Sequence, residues 1–150
     1  MFLRRLTFLL LLTLTMLLMV GCGATNAPGE SQSAPADIFS LPKNADGYID
    51  ITVDQLEPAL ANKDFTMINV HIPYEGELPQ TDAFIPYNEI EANLSQLPAD
   101  KNARIVLYCR SGRMSTDAAQ ILINLGYTNV VEMDGGMQTW EAAGNELITK

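Results

Sequence analysis

Five residues past the middle of the chain constrain its fold more than any others. Arg104 to Tyr108 reads RIVLY, a nearly continuous apolar run without two-residue alternation. A strand of that kind is covered on both faces, as a central strand of a parallel sheet is. A short polar loop follows it at once, and then a helical stretch. The alternation extends to both sides. Residues 48–52 (YIDIT) predict a strand, and 53–62 a helix with Thr52 as its N-cap. Pro58 predicts that the regular helix begins only near itself, behind an irregular turn. Residues 65–70 (FTMINV) predict a second strand, and 71–83 a loop broken by Pro73, Gly76 and Pro79. Residues 84–85 predict a short strand closed by Pro86, and 89–97 a helix ended by Pro98. Residues 115–125 form a helix with Gly126 after it, 130–133 a strand and 136–143 a last helix. Strands alternating with helices predict an α/β fold with a mainly parallel sheet, whose ligands sit beyond the strand C-termini.

The N-terminus is of another kind. Arg4 and Arg5 precede an apolar run over 6–20 in which Thr is the only polar residue type. A run of about 15 residues is a signal h-region rather than a spanning helix. It stops at Leu18-Met19-Val20-Gly21-Cys22. Apolar residues, a small residue and then Cys resemble the lipobox of bacterial lipoproteins. That resemblance implies a signal peptide over 1–21, cleavage before Cys22 and lipidation of Cys22. Several acyl chains anchor a protein stably where one does not. An uncleaved signal anchor is the alternative, and both readings place the domain outside the cytoplasmic membrane. Residues 22–44 are small, polar and rich in Pro, Gly and Ser, and are expected to be a flexible tether. The domain is then 45–150.

Charge and cysteine count exclude several functions. The chain has 9 Lys+Arg against 18 Asp+Glu, a net charge of −9. Arg4 and Arg5 leave with the leader, which makes it −11. Nucleic-acid binding is thereby excluded, since phosphate backbones call for a basic surface. Two Cys and one His cannot build a zinc ribbon or a Cys/His metal cage, and no metal site is expected.

Cys109 stands where the apolar strand ends. Residues 109–115 read CRSGRMS, with small or permissive Ser111 and Gly112, and a helix follows. Such a loop turns backbone N–H groups inward beside a helix N-terminus, and so favours an anion and a thiolate. Lys101, Arg104, Arg110 and Arg113 are expected to gather positive charge around this thiol. If Cys22 carries lipid, Cys109 has no intrachain partner. In an oxidising compartment a lone thiol is either buried and inert or useful.

YCRSGRMS (108–115) and MDGGMQTWEAAG (133–144), in this order and spacing, resemble the rhodanese-like domain family. The match covers about 45–148. It implies a five-stranded, mainly parallel sheet with helices on both faces. It also implies a nucleophilic Cys109 that takes sulfane sulfur as a persulfide and passes it to an acceptor thiol or cyanide. The loop residues Arg110, Ser111, Gly112, Arg113, Met114 and Ser115 would cradle that sulfur and the donor's anionic group. The family needs no metal and no organic cofactor. Three positions depart from its usual pattern: Asn69 and His71 at the second strand end, Ala83-Phe84-Ile85-Pro86-Tyr87 before the next helix, and Met114 before Ser115.

His71 is an accessory candidate through an anion contact or proton relay, against a hydrogen-bonded structural role. Asn69 is a second accessory candidate. Tyr74, Tyr87 and Phe84 are expected at the site mouth or in plain packing, and Trp140 in the core. Glu75, Glu77 and Asp82 are expected on a solvated loop, and Ser111 and Ser115 as turn and N-cap residues. The expectation is an extracytoplasmic, lipid-anchored sulfurtransferase acting through Cys109. Its alternatives are a non-catalytic module presenting a site to a protein partner, and a thiol redox or persulfide sensor. A cysteine phosphatase or arsenate reductase is disfavoured, because Ser115 stands where those enzymes place an oxyanion-binding Arg.

Overall fold

Two hydrophobic clusters lie on opposite faces of a five-stranded sheet, and the sheet's alternation sorts residues between them. In β4 (Arg104–Tyr108) Ile105 and Leu107 face one cluster, Val106 and Tyr108 the other, and all four are fully buried. That explains the unbroken apolar run, because both pleat directions point into a core. The computed structural model describes residues 37–149. The expected signal peptide, Cys22 and residues 23–36 of the expected tether lie outside the described residues.

The other strands are β1 (Ile49–Ile51), β2 (Thr66–Asn69), β3 (Ala83–Phe84) and β5 (Asn129–Met133). Their order is β1-β5-β4-β2-β3, with every pairing parallel. The helices are α1 (Val53–Ala59), α2 (Arg113–Asn124) and α3 (Gly136–Ala142). Ala118, Ala119 and Leu122 of α2 pack with Ile105 and Leu107, while Leu56 of α1 and Trp140 of α3 pack with Val106 and Val131. The sheet is therefore covered on both faces, as expected, and its C-terminal strand ends converge on one rim.

Four expectations are corrected. The first helix starts regularly at Val53 and carries Pro58 inside it. Asp54 and Pro58 both lie on its exposed side, so the bond that Pro58 cannot make is missing from the solvent-facing side of the helix. Residues 89–97 are not an α-helix but 3-10 turns, Tyr87–Glu89 and Glu91–Gln96, with Asn93 outside helical geometry. The cause is local. The Asn93 side-chain amide donates to the Glu89 carbonyl at 2.9 Å, and the Asn93 N–H turns to Ile90 instead at 3.1 Å. The helix after the cysteine loop begins at Arg113 rather than Ser115, with Gly112 as its N-cap.

The last correction concerns 37–44, expected to belong to the tether. Ile38 is 3% exposed within the core, and Phe39 packs against the same cluster. Asp37 pairs with Arg104, and Lys43 Nζ donates to the Thr128 carbonyl at 2.7 Å. Two apolar residues anchored by an ion pair at one end and a hydrogen bond at the other outweigh the polar composition around them.

Candidate active site

Cys109 follows the last residue of β4 and is 1% exposed. Gly112 turns the chain with φ at 100°, a conformation that side chains resist. The turn brings the Gly112 N–H to 3.1 Å from Sγ, and the Ser115 hydroxyl lies 3.3 Å from Sγ. Both donors sit at the start of α2, the positive end of its dipole. Together they suit sulfur carrying negative charge, because hydrogen bonds to an ion are the stronger kind.

The loop is held from behind by the first turn of α3. The Met137 N–H donates to the Cys109 carbonyl at 2.9 Å, and the Gln138 N–H donates to the Arg110 carbonyl at 3.0 Å. Gly136 makes that approach feasible. A Cβ there would stand 2.2 Å from the Cys109 carbonyl oxygen, and its φ is 56°. The two motifs separated in sequence are thus one structure: the glycine pair lets a helix start against the cysteine's own backbone.

The expected concentration of four basic residues around the thiol is corrected. Lys101 lies over the Tyr127 ring, and Arg104 pairs with Asp37 and Asp64 before and at the start of β4. Cys109 is at the other end of that strand, so these two charges do not serve it. Arg110 and Arg113 remain in the loop, half-exposed and exposed, and both meet carboxylates. Arg110 pairs with Glu75, and Arg113 Nη1 lies 3.1 Å from Asp117 and its guanidinium stacks over Tyr87. Arg110 and Glu75 line a cavity of about 260 Å³ with Met137, Glu141 and Leu147. Ser111 is exposed, and Met114 is half-buried against the α2-side core. Ser115 is no N-cap. It is the third residue of α2, fully buried, with its hydroxyl at the sulfur.

The two accessory candidates have different fates. Asn69 is fully buried, and its amide is spent on the following loop. Nδ2 donates to the Gly76 carbonyl at 2.9 Å, and Oδ1 accepts the His71 N–H at 2.9 Å. It shapes the 71–76 loop and makes no contact with the sulfur. His71 is 6% exposed, its ring nitrogens make no hydrogen bond, and Nε2 lies 3.5 Å from the Glu75 carboxylate. The hydrogen-bonded structural role expected for it is therefore not observed. Instead, Glu75 stands between His71 and Arg110.

The acidic loop is not merely solvated. Glu77 is buried, and its backbone pairs with Ile148, while Asp82 holds Lys63 and the Met67 N–H. Tyr74 packs edge-on against Phe84 at 5.3 Å and is partly exposed. Trp140 is core, as expected, with Nε1 donating to the Glu146 carbonyl at 3.0 Å.

One residue of the site escaped sequence reasoning. Glu132 of β5 is 1% exposed and meets the Ser115 hydroxyl. Burial, then the carboxylates of Asp134 and Asp50, push its carboxyl up to about 7, against the opposing Ser115 hydrogen bond. Asp50, Glu132 and Asp134 each offer an oxygen within 4.8 Å of the others, an acidic cluster that by itself makes no metal site. The available signal was a lone Glu between Val131 and Met133 in a strand otherwise expected to be buried.

Comparison with known proteins agrees with this geometry. A family model described as the rhodanese-like domain matches residues 67–143. A sulfurtransferase of Allochromatium vinosum is 31% identical over 104 residues, covering 66% of this chain and 94% of that protein. The thiosulfate sulfurtransferase PspE of Escherichia coli is 37% identical over 73 residues, covering 47% of this chain and 69% of that one. Among solved structures, a rhodanese-related protein of Thermoplasma volcanium superposes with a TM-score of 0.59 at 25% identity, covering 69% of this chain and all of that one.

Proposed function

The chain belongs to the rhodanese-like domain family, as a sulfurtransferase of that family, and we propose that it moves sulfane sulfur from a thiosulfate- or persulfide-type donor to a thiol or cyanide through a persulfide on Cys109. The observation that carries this reading is the pair of donors on Cys109 Sγ, the Gly112 N–H and the Ser115 hydroxyl. They suit each anionic sulfur of the cycle. The Cys109 thiolate attacks the donor's outer sulfur, the donor's own S–S bond breaks, and sulfite or a thiolate leaves with the electron pair. The acceptor then attacks the terminal sulfur of the persulfide and returns Cys109 as thiolate. No metal or organic cofactor enters these steps. Arg110 and Arg113 flank the loop, where an anionic donor competes with Glu75 and Asp117 for their guanidinium groups.

The module reading would leave the two donors on sulfur without a task, and a thiol or persulfide sensor would use them without releasing thiocyanate over repeated turnovers. The test is thiocyanate release from thiosulfate and cyanide. Wild type is expected to turn over, and Cys109→Ser to be inactive with an unchanged circular-dichroism spectrum, because an alcohol cannot carry a persulfide. Equal activity of the two proteins would sink the assignment. We further propose an extracytoplasmic location, with the chain held at a bacterial membrane by lipid on Cys22. Cys22→Ala is expected to move it from the membrane to the soluble fraction with its thiocyanate release unchanged. A variant that stays with the membrane would refute the anchor.

A further inference from the structure

The Ser115 hydroxyl has one proton and three acceptors within reach: Cys109 Sγ at 3.3 Å, the Gly112 carbonyl at 2.8 Å, and Glu132 Oε1. It can donate to only one of them at a time. An ionised Glu132 is the strongest acceptor of the three, so it takes that proton and leaves the sulfur with the Gly112 N–H alone. A protonated Glu132 is instead a donor. Its own O–H then points at Ser115 Oγ, and the Ser115 proton is free for the anionic sulfur, a better acceptor than a neutral carbonyl.

We propose that Glu132 is a positioning residue for the sulfur chemistry: acting through Ser115, it stabilises anionic sulfur on Cys109 when it is protonated and withdraws that support when it is ionised. The inference rests on the reading of Cys109 as the sulfur-carrying nucleophile. The three residues share one face of the sheet and are buried together. Of the groups facing Glu132, the carboxylates favour its protonated form and the Ser115 hydrogen bond opposes it. Asp50 comes from β1, directly opposite Glu132 in the strand register, and Asp134 follows β5. Cys109 after β4 adds negative charge whenever it is a thiolate. From α2 the facing group is Ser115, because Arg113 is turned outward to Asp117 and Tyr87. Protonation near neutral pH is consistent with this, since the Glu132 carboxyl is pushed up to about 7.

The coupling is a proton exchange without redox change. When Cys109 ionises beside an ionised Glu132, the thiol proton passes to Ser115 Oγ as the Ser115 proton passes to Glu132 Oε1. One S–H and one O–H bond break, and two O–H bonds form. The unit holds one negative charge, on sulfur. Removing a second proton puts charge on Glu132 as well, at the sulfur's expense.

The test is the pH profile of Cys109 alkylation by iodoacetamide in the full chain, read on the Cys109 peptide by mass spectrometry. Wild type is expected to give a profile broader than a one-proton curve. Glu132→Gln keeps a donor at this position and removes the charge. Its profile is expected to be a one-proton curve that follows wild type at acidic pH, where wild-type Glu132 is protonated. The two separate through and above about pH 7, where wild type lags by up to about one unit, or about tenfold in alkylation rate. Ser115→Ala is expected to move the profile the other way. Superimposable wild-type and Gln profiles overturn the proposal. Should the Gln variant not fold, the side-chain carboxyl carbon of Glu132 is followed by NMR in wild type before and after Cys109 is blocked. Linkage requires its titration to fall to lower pH on blocking, and an unchanged titration overturns the proposal. Sulfur loading from thiosulfate is measured on the same samples. Displaced profiles without loading in any protein refute the transferase reading and leave the coupling standing, while normal loading with superimposable profiles does the reverse.

Discussion

Glu132 is a carboxyl buried to 1% exposure beside two other carboxylates, and its consequence is measurable in stability. Its carboxyl is raised from 4.5 to about 7 in the folded protein. The native state therefore holds this proton more tightly than the unfolded chain does. Its contribution to stability is complete below about 4.5 and is lost as pH rises through about 7, with stability falling across that window. The loss amounts to roughly 3 kcal/mol. Glu132→Gln is expected to match wild type in urea unfolding at acidic pH and to exceed it by about that amount above neutrality. Equal stability at alkaline pH would remove the buried charge from the account. Gly136 shows the opposite kind of constraint. Its cost is steric, because any side chain would meet the Cys109 carbonyl, and the Gly-Gly pair signals that from sequence. Glu132 gives no such signal. In VVEM it looks like an ordinary polar residue, and only the neighbours brought by β1, β4 and α2 make it unusual.

At the scale of elements, β4 and its loop were legible because one property dominates each. An apolar run announces a doubly covered strand, and small residues after a cysteine announce a tight turn into a helix. Misreadings came where a single side chain decided. Asn93 takes the Glu89 carbonyl and breaks a helix that the spacing supports. Ile38 and Phe39 nail down a segment that composition assigns to a tether. A fragment of residues 45–150 removes them together with the Asp37–Arg104 pair. It is expected to fold with about 2–4 kcal/mol less stability than residues 37–150, from burial of the Ile38 and Phe39 side chains. Denaturation curves for the two fragments decide it, and coincident midpoints would return 37–44 to the tether.

For the whole molecule, the fold places its parts so that one rim collects the chemistry. All strands run parallel, so their C-terminal ends bring together the Cys109 loop, the Glu132–Gly136 segment and the 69–76 loop. The charges separate along the same axis, with Lys101 and Arg104 spent before and at the start of β4 and only Arg110 and Arg113 at the thiol. Sequence reading saw four clustered cations because it could not see that five strand residues carry two of them to the far side. The central claim is that the thiol at this rim carries sulfur. The most direct measurement is the intact mass of the reduced protein after exposure to thiosulfate, then after cyanide, with the site located by peptide mapping. The account predicts a gain of one sulfur atom on Cys109 that cyanide removes as thiocyanate. A protein whose Cys109 gains no sulfur, or keeps it in the presence of cyanide, would contradict it.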